Sequence, residues 1–112
     1  IDPSYPKYIP RGYSVSGITS EEGKITIEFK NNSSNSSFTL VEERSSWDSN
    51  ALVSNFVKKE FGDEYTTIRE QGLTIYIKGS DATWVNGGNV FKIQATDGEL
   101  TSKQIRSIAV SL

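Results

Sequence analysis

Adjacent acidic residues are the first candidates for chemistry in this chain, at Glu21-Glu22, Glu42-Glu43 and Asp63-Glu64. A glycosidase needs two carboxylates that face each other across a cleft. Neighbouring residues of a strand point to opposite faces of their sheet, so an adjacent pair does not form such a site. We therefore interpret these acids as solvated surface groups.

Nucleophilic catalysis has little support. The chain has many serines but no His and no Cys. A serine hydroxyl needs a base, and the Ser–Lys pairs on offer, Ser102-Lys103 and Ser80 near Lys78, have no distinctive spacing. The missing His and Cys also remove the ligands of structural zinc sites and iron–sulfur clusters. We predict no catalytic residues and a domain that is not an enzyme.

Metal and phosphate sites are equally unsupported by the residue pattern. Asp81, Asp97 and Glu99 could offer oxygen atoms to Ca²⁺, but the Asp-rich pattern of a calcium-binding loop is absent. Gly87-Gly88 lacks both the P-loop and the dinucleotide-binding pattern, and we interpret it as the tip of a hairpin. We expect no metal and no cofactor.

Three aromatic residues are the candidates for an interaction surface: Trp47, Tyr65 and Tyr76. Trp47 precedes a predicted helix among polar residues. Tyr76 alternates with Ile75 and Ile77, so it faces away from them. An exposed cluster of these rings would indicate a binding face. The alternative is that they pack in the core or at its rim.

Composition limits the partners. With 112 residues, the chain fits one domain, and its 35% hydrophobic residues suffice for one modest core. The formal net charge of −2 and the pI of about 5.1 argue against nucleic acid. No apolar run approaches the ~20 residues that cross a bilayer, so we expect membrane contact only through an anchor outside this chain.

The elements that must position these residues follow from periodicity and turn residues. Residues 1–12 hold all three prolines and predict an extended lead-in. Period-two alternation and turn residues predict strands over 13–19, 24–30, 38–43, 65–70, 73–78, 82–85 and 90–95. Apolar stripes predict helices over 49–61 and from 101 onward, the second opened by a capping box of Thr101 and Gln104.

The resulting order is β-β-β-α-β-β-β-β-α. Both helices are amphipathic and need an apolar surface, and the strands are largely one-sided. We predict a single α+β domain over 1–112, with one curved antiparallel sheet of about six to seven strands and both helices packed on one face.

Three stretches of the chain resemble a known family: residues 5–13, with the Pro10-Arg11-Gly12-Tyr13 segment; residues 84–93, a Trp–turn–aromatic hairpin; and residues 100–112, ending in Ile-Ala-Val-Ser-Leu. They are similar to the bacterial domain-of-unknown-function 4367 family. Phe91 stands where Tyr is commoner in that family. The resemblance implies no catalytic residues.

The same resemblance implies an extracytoplasmic domain behind one membrane anchor, in proteins that sometimes look like anti-sigma factors. It also implies a half-barrel fold of the kind found in lipoprotein carriers. We therefore expect a non-enzymatic sensing or protein-interaction domain with an unknown protein partner. The alternative is a carrier of a lipid or other hydrophobic small ligand in the concavity of the sheet.

Overall fold

The computed structural model describes residues 6–95 and 100–112. Asp97 and Glu99, considered above as calcium ligands, and the first five residues of the lead-in lie outside the described residues. Residues 6–12 form neither helix nor strand, as the prolines predict. Tyr8 nevertheless packs against the core, so this part of the lead-in is docked on the domain.

The elements of the described residues follow the predicted order and are seven strands and two helical segments. The strands are β1 (Tyr13–Glu21), β2 (Lys24–Asn31), β3 (Ser37–Arg44), β4 (Thr66–Glu70), β5 (Leu73–Lys78), β6 (Asp81–Asn86) and β7 (Asn89–Ala95). The first helical segment, 49–60, joins α1 (Ser49–Leu52), a π-helical turn (Val53–Val57) and α2 (Lys58–Glu60). The second is α3 (Ser102–Ser111).

All seven strands form one antiparallel sheet in the order β1-β2-β3-β7-β6-β5-β4. The sheet consists of two meanders, β1-β2-β3 and β4-β5-β6-β7. They join where β7 pairs with β3. The sheet does not close on itself, so β1 and β4 are its edges. The predicted α+β class, single antiparallel sheet and element order are confirmed.

One face of the sheet packs against α3 and forms the larger core, and we call it the α3 face. Ile27, Ile75 and Trp84 are fully buried there, together with Ile105 and Ile108 of α3. The Trp84 ring stacks on Phe91 across β6 and β7, with centroids 5.4 Å apart. Both rings therefore belong to the larger core.

The opposite face packs against the helical segment 49–60. Leu52 and Val57 of that segment form a second core with Tyr76 and Val90. Tyr76 lies between Ile75 and Ile77, which belong to the first core, and alternate residues of a strand point to opposite faces. The two helical segments therefore lie on opposite faces, and the expected placement of both on one face needs this correction. The sheet has apolar side chains on both faces at β5 to β7, so each face needs a cover.

Side-chain hydrogen bonds cap the first turn of both helical segments. Asp48 Oδ1 accepts a hydrogen bond from the Ala51 backbone N–H at 2.8 Å and caps α1. The capping box of α3 is present as predicted, with Thr101 and Gln104 each accepting from the backbone N–H of the other. In the π-helical turn the Lys58 N–H reaches the Val53 carbonyl, five residues back.

Candidate interaction surface

The structure brings two of the three predicted surface aromatics together. Tyr65 and Tyr76 pack edge to face, with ring centroids 5.8 Å apart and an interplanar angle of 75°. Tyr76 is only 8% exposed because the helical segment 49–60 covers it. Trp47 lies just before α1, is 37% exposed, and makes no ring contact with either tyrosine. The pair thus offers little free surface, and Trp47 stands apart from it.

The acidic pairs divide between surface and core. Glu21, Glu22, Asp63 and Glu64 are exposed, as interpreted from the sequence. Glu42 is fully buried, so the solvated interpretation is wrong for this residue. It continues the buried alternation of Phe38 and Leu40 on the α3 face, between Ile25 and Phe91 of the neighbouring strands.

Strand β1 presents the longer free edge of the sheet. Among the described residues, β1 pairs only with β2, and residues 13–20 carry no charged side chain and no proline. Two aliphatic side chains on this edge face solvent, since Val15 is 46% and Ile18 50% exposed. Native proteins usually protect a long edge with charges, prolines or a bulge, because its unpaired backbone groups can accept another strand.

A β-bulge at Ser16 places both aliphatic side chains on one face. The register with β2 shifts between Val15 and Gly17, so Val15 lies opposite Phe29 while Ile18 lies opposite Ile27. Both partners point to the α3 face. Without the extra residue, side chains three positions apart would point to opposite faces. The bulge therefore creates a small apolar patch beside the free edge.

The other edge of the sheet is built differently. Strand β4 has five residues, and Arg69 and Glu70 supply charges at its end. Glu70 also forms an ion pair with Arg106 of α3 at 3.5 Å, which ties this edge to the helix. Edge protection is thus present at β4 and weak at β1, where the bulge is the main device.

Sequence reasoning missed this edge because it searched for aromatic residues. The signal was nevertheless present, as an uncharged strand-forming run over 13–20 at the start of the domain. The run itself did not predict that this strand lies at the edge of the sheet, because the order of strands in a sheet depends on contacts between residues far apart in the chain.

Residues 6–95 and 100–112 offer neither a metal site nor a membrane span beside this edge. No cluster of three or more acidic residues there could hold a metal ion. No helix in the same ranges is long and apolar enough to cross a membrane.

The comparison with family models matches residues 4–112 to a domain of unknown function, DUF4367. The match covers nearly the whole chain, so this chain belongs to that family. No curated protein and no solved structure matches it.

Proposed function

We propose that this chain is a non-enzymatic protein-interaction domain that adds an extended segment of a partner protein to the free edge of β1. The single observation that carries the proposal is the uncharged edge over 13–20, with Val15 and Ile18 exposed on one face. In this mode of recognition, backbone hydrogen bonds supply affinity and side-chain contacts supply specificity.

The features of β1 define the partner segment. The edge carries no charge from Tyr13 to Ser20, so an uncharged segment loses no charge solvation on pairing. Alternate apolar residues on one side of that segment would cover Val15 and Ile18. We therefore expect an extended, uncharged segment with apolar residues at alternate positions.

The carrier hypothesis has less support from the geometry. A ligand in the concavity of the sheet needs space between the sheet and a helix. On the α3 face, Ile105, Ile108 and Ala109 are at most 2% exposed and pack into the main core between α3 and the sheet. Side chains of the protein itself thus fill the position that a lipid would take.

The location of this interaction is part of the proposal. An extracytoplasmic domain that senses or binds a partner, behind an anchor outside this chain, rests on the family resemblance. Expression of the full-length protein with a reporter fused to this domain tests it. A reporter active only in the cytoplasm would contradict it.

Peptide selection tests the edge directly. We would select binders from random peptides about ten residues long, which match the length of an edge strand. The bound complex would then be followed by hydrogen exchange. We expect slower exchange of β1 backbone amides, and we expect Val15→Lys and Ile18→Lys to weaken binding by about tenfold or more.

Thr67→Lys in β4 is the matched control, because Thr67 is also an exposed residue of an edge strand. It should bind the selected peptides as the unmodified domain does. Protection elsewhere on the domain, or equal loss of binding in all three variants, would overturn the proposal. Sedimentation velocity on the free domain separates partner binding from pairing of two copies through β1.

A further inference from the structure

We infer a second binding site for a small amphipathic carboxylate, in a groove between the helical segment 49–60 and strands β5 to β7. The groove has a volume of about 750 Å³, within the ~300–1,000 Å³ usual for small-molecule sites. We call it the lysine groove. Its lining includes Phe56, Phe61, Lys78, Asp81, Lys92 and Gln94.

An aromatic wall comes from the helical segment. Phe56 belongs to the π-helical turn, and Phe61 follows α2 directly. Their rings pack edge to face with centroids 5.9 Å apart, and Phe56 stays partly exposed. A wall of two contacting rings suits the apolar body of a ligand, such as an aromatic ring or a short acyl chain.

Lys92 supplies the first positive charge. Its Nζ lies 4.3 Å from the centroid of the Phe56 ring, which fixes the ammonium beside the aromatic wall. Within the described residues the ion pair is Arg106 with Glu70, and no carboxylate pairs with Lys92. An ammonium has three N–H donors. The face of the Phe56 ring carries no oxygen or nitrogen acceptor, so this contact leaves all three donors of Lys92 available.

Lys78 supplies the second positive charge on the same lining. Its Nζ donates a hydrogen bond to the Phe61 carbonyl oxygen at 3.0 Å, at the end of the helical segment where carbonyls lack helical partners. One donor is thus used for positioning and two remain. Charge-assisted hydrogen bonds from two fixed ammonium groups suit an anionic ligand group.

The acidic residues of the lining, Glu60 and Asp81, form no ion pair with these lysines within the described residues. Asp81 lies opposite Lys78 in the β5–β6 register, but its Oδ1 accepts from the Ala95 backbone N–H at 3.1 Å. Glu60 is exposed at the rim, where water and salt screen its charge. The ammonium donors of Lys78 and Lys92 are therefore available to a ligand carboxylate, and the aromatic wall is available to its apolar body.

This site is independent of the edge proposed above. Strands β2 and β3 separate β1 from β7 in the sheet, and the groove lies on the face that the helical segment 49–60 covers, opposite the α3 face. Failure of one proposal therefore leaves the other unaffected.

The test is a heteronuclear NMR titration with phenylbutyrate, its uncharged amide and inorganic phosphate. We expect phenylbutyrate to shift the backbone amides of Phe56, Phe61, Lys78 and Lys92. The amide analogue should bind about tenfold more weakly, because it lacks the charge that the lysines recognise. Phosphate should bind more weakly still, since it has no apolar body. Phosphate binding as tight as phenylbutyrate would overturn the amphipathic assignment.

Lys92→Met keeps an unbranched apolar side chain and removes the charge, and we expect it to weaken phenylbutyrate by about tenfold. Lys58→Met is the matched control, because Lys58 is an exposed lysine of α2 that does not line the groove. The inference is wrong if the amide binds as well as the acid, if Lys92→Met binds normally, or if the groove amides do not shift.

Discussion

The backbone N–H of Tyr8 donates a hydrogen bond to the hydroxyl oxygen of Ser111 at 3.2 Å and joins residues 103 positions apart. The Ser111 hydroxyl in turn donates to the Ile108 carbonyl oxygen at 2.9 Å. Ser111 therefore fastens the lead-in to the last turn of α3. This contact, together with the packing of Tyr8 on the core, places both ends of the described chain together.

Loss of this fastening should be measurable. We expect Ser111→Ala to lower the free energy of unfolding by about 1 kcal/mol, because the partly buried Tyr8 N–H loses its acceptor. Urea unfolding followed by fluorescence measures the change. Ser102→Ala, at an exposed position at the start of α3, is the control and should change stability less. Equal effects of both variants would contradict the role of Ser111.

The second core gives a prediction at Tyr76. We expect Tyr76→Ala to lower the free energy of unfolding by about 3 kcal/mol, since it empties a buried site beneath the helical segment 49–60. Tyr76→Phe keeps the ring contact with Tyr65 and should cost less than about 1 kcal/mol. Thr67→Ala changes an exposed residue directly opposite Tyr76 and serves as the control. A loss of less than about 1 kcal/mol in the free energy of unfolding of Tyr76→Ala would show that this face is not a core.

The capping box of α3 gives a prediction at Thr101. We expect Thr101→Ala to lower the free energy of unfolding by about 1 kcal/mol, because the Gln104 backbone N–H loses its acceptor. Thr101→Asn should retain most of the stability, since Asn also caps helices well. Thermal unfolding of the three proteins tests this order. An Asn variant as unstable as the Ala variant would argue against capping as the cause.

The β4–β5 turn gives a prediction of increased stability. Gln71 has φ 49° and Gly72 has φ 82°, the left-handed pair of a two-residue hairpin. Gln is uncommon at positive φ and Asn is enriched there, so we expect Gln71→Asn to raise the free energy of unfolding by about 0.5 kcal/mol. Gln94→Asn, an exposed change in extended β7, should give no gain. A gain in both variants would remove the turn as the explanation.

The strands and their turns were predictable because their signals are local. Alternation of Ile25, Ile27 and Phe29 gave β2, and the Asn86-Gly87-Gly88-Asn89 turn gave the β6–β7 hairpin. The capping box at Thr101 was equally local, since it needs only residues within one helical turn. The π-helical turn over Val53–Val57 left no comparable signal, because its wider winding depends on what the segment packs against.

The candidate sites were harder to predict. The aromatic candidates were chosen by residue type, which left open whether they form an exposed cluster or pack in the core. Tyr76 lies beneath the helical segment, and Trp47 lies apart from it. Val15 and Ile18 share a face only because of the bulge at Ser16, and strict alternation would have separated them. Lys78 and Lys92 line one groove through strand pairing, although they are distant in the chain.

The sequence by itself determined the element order, the absence of His and Cys chemistry, and the α+β class, because composition and periodicity are properties of neighbouring residues. The tertiary structure alone decided which strand became the free edge and which helical segment covered each face. Apolar residues such as Tyr76 and Val90 show that a side chain must be buried. They do not show against which element, because that choice depends on contacts between residues far apart in the chain.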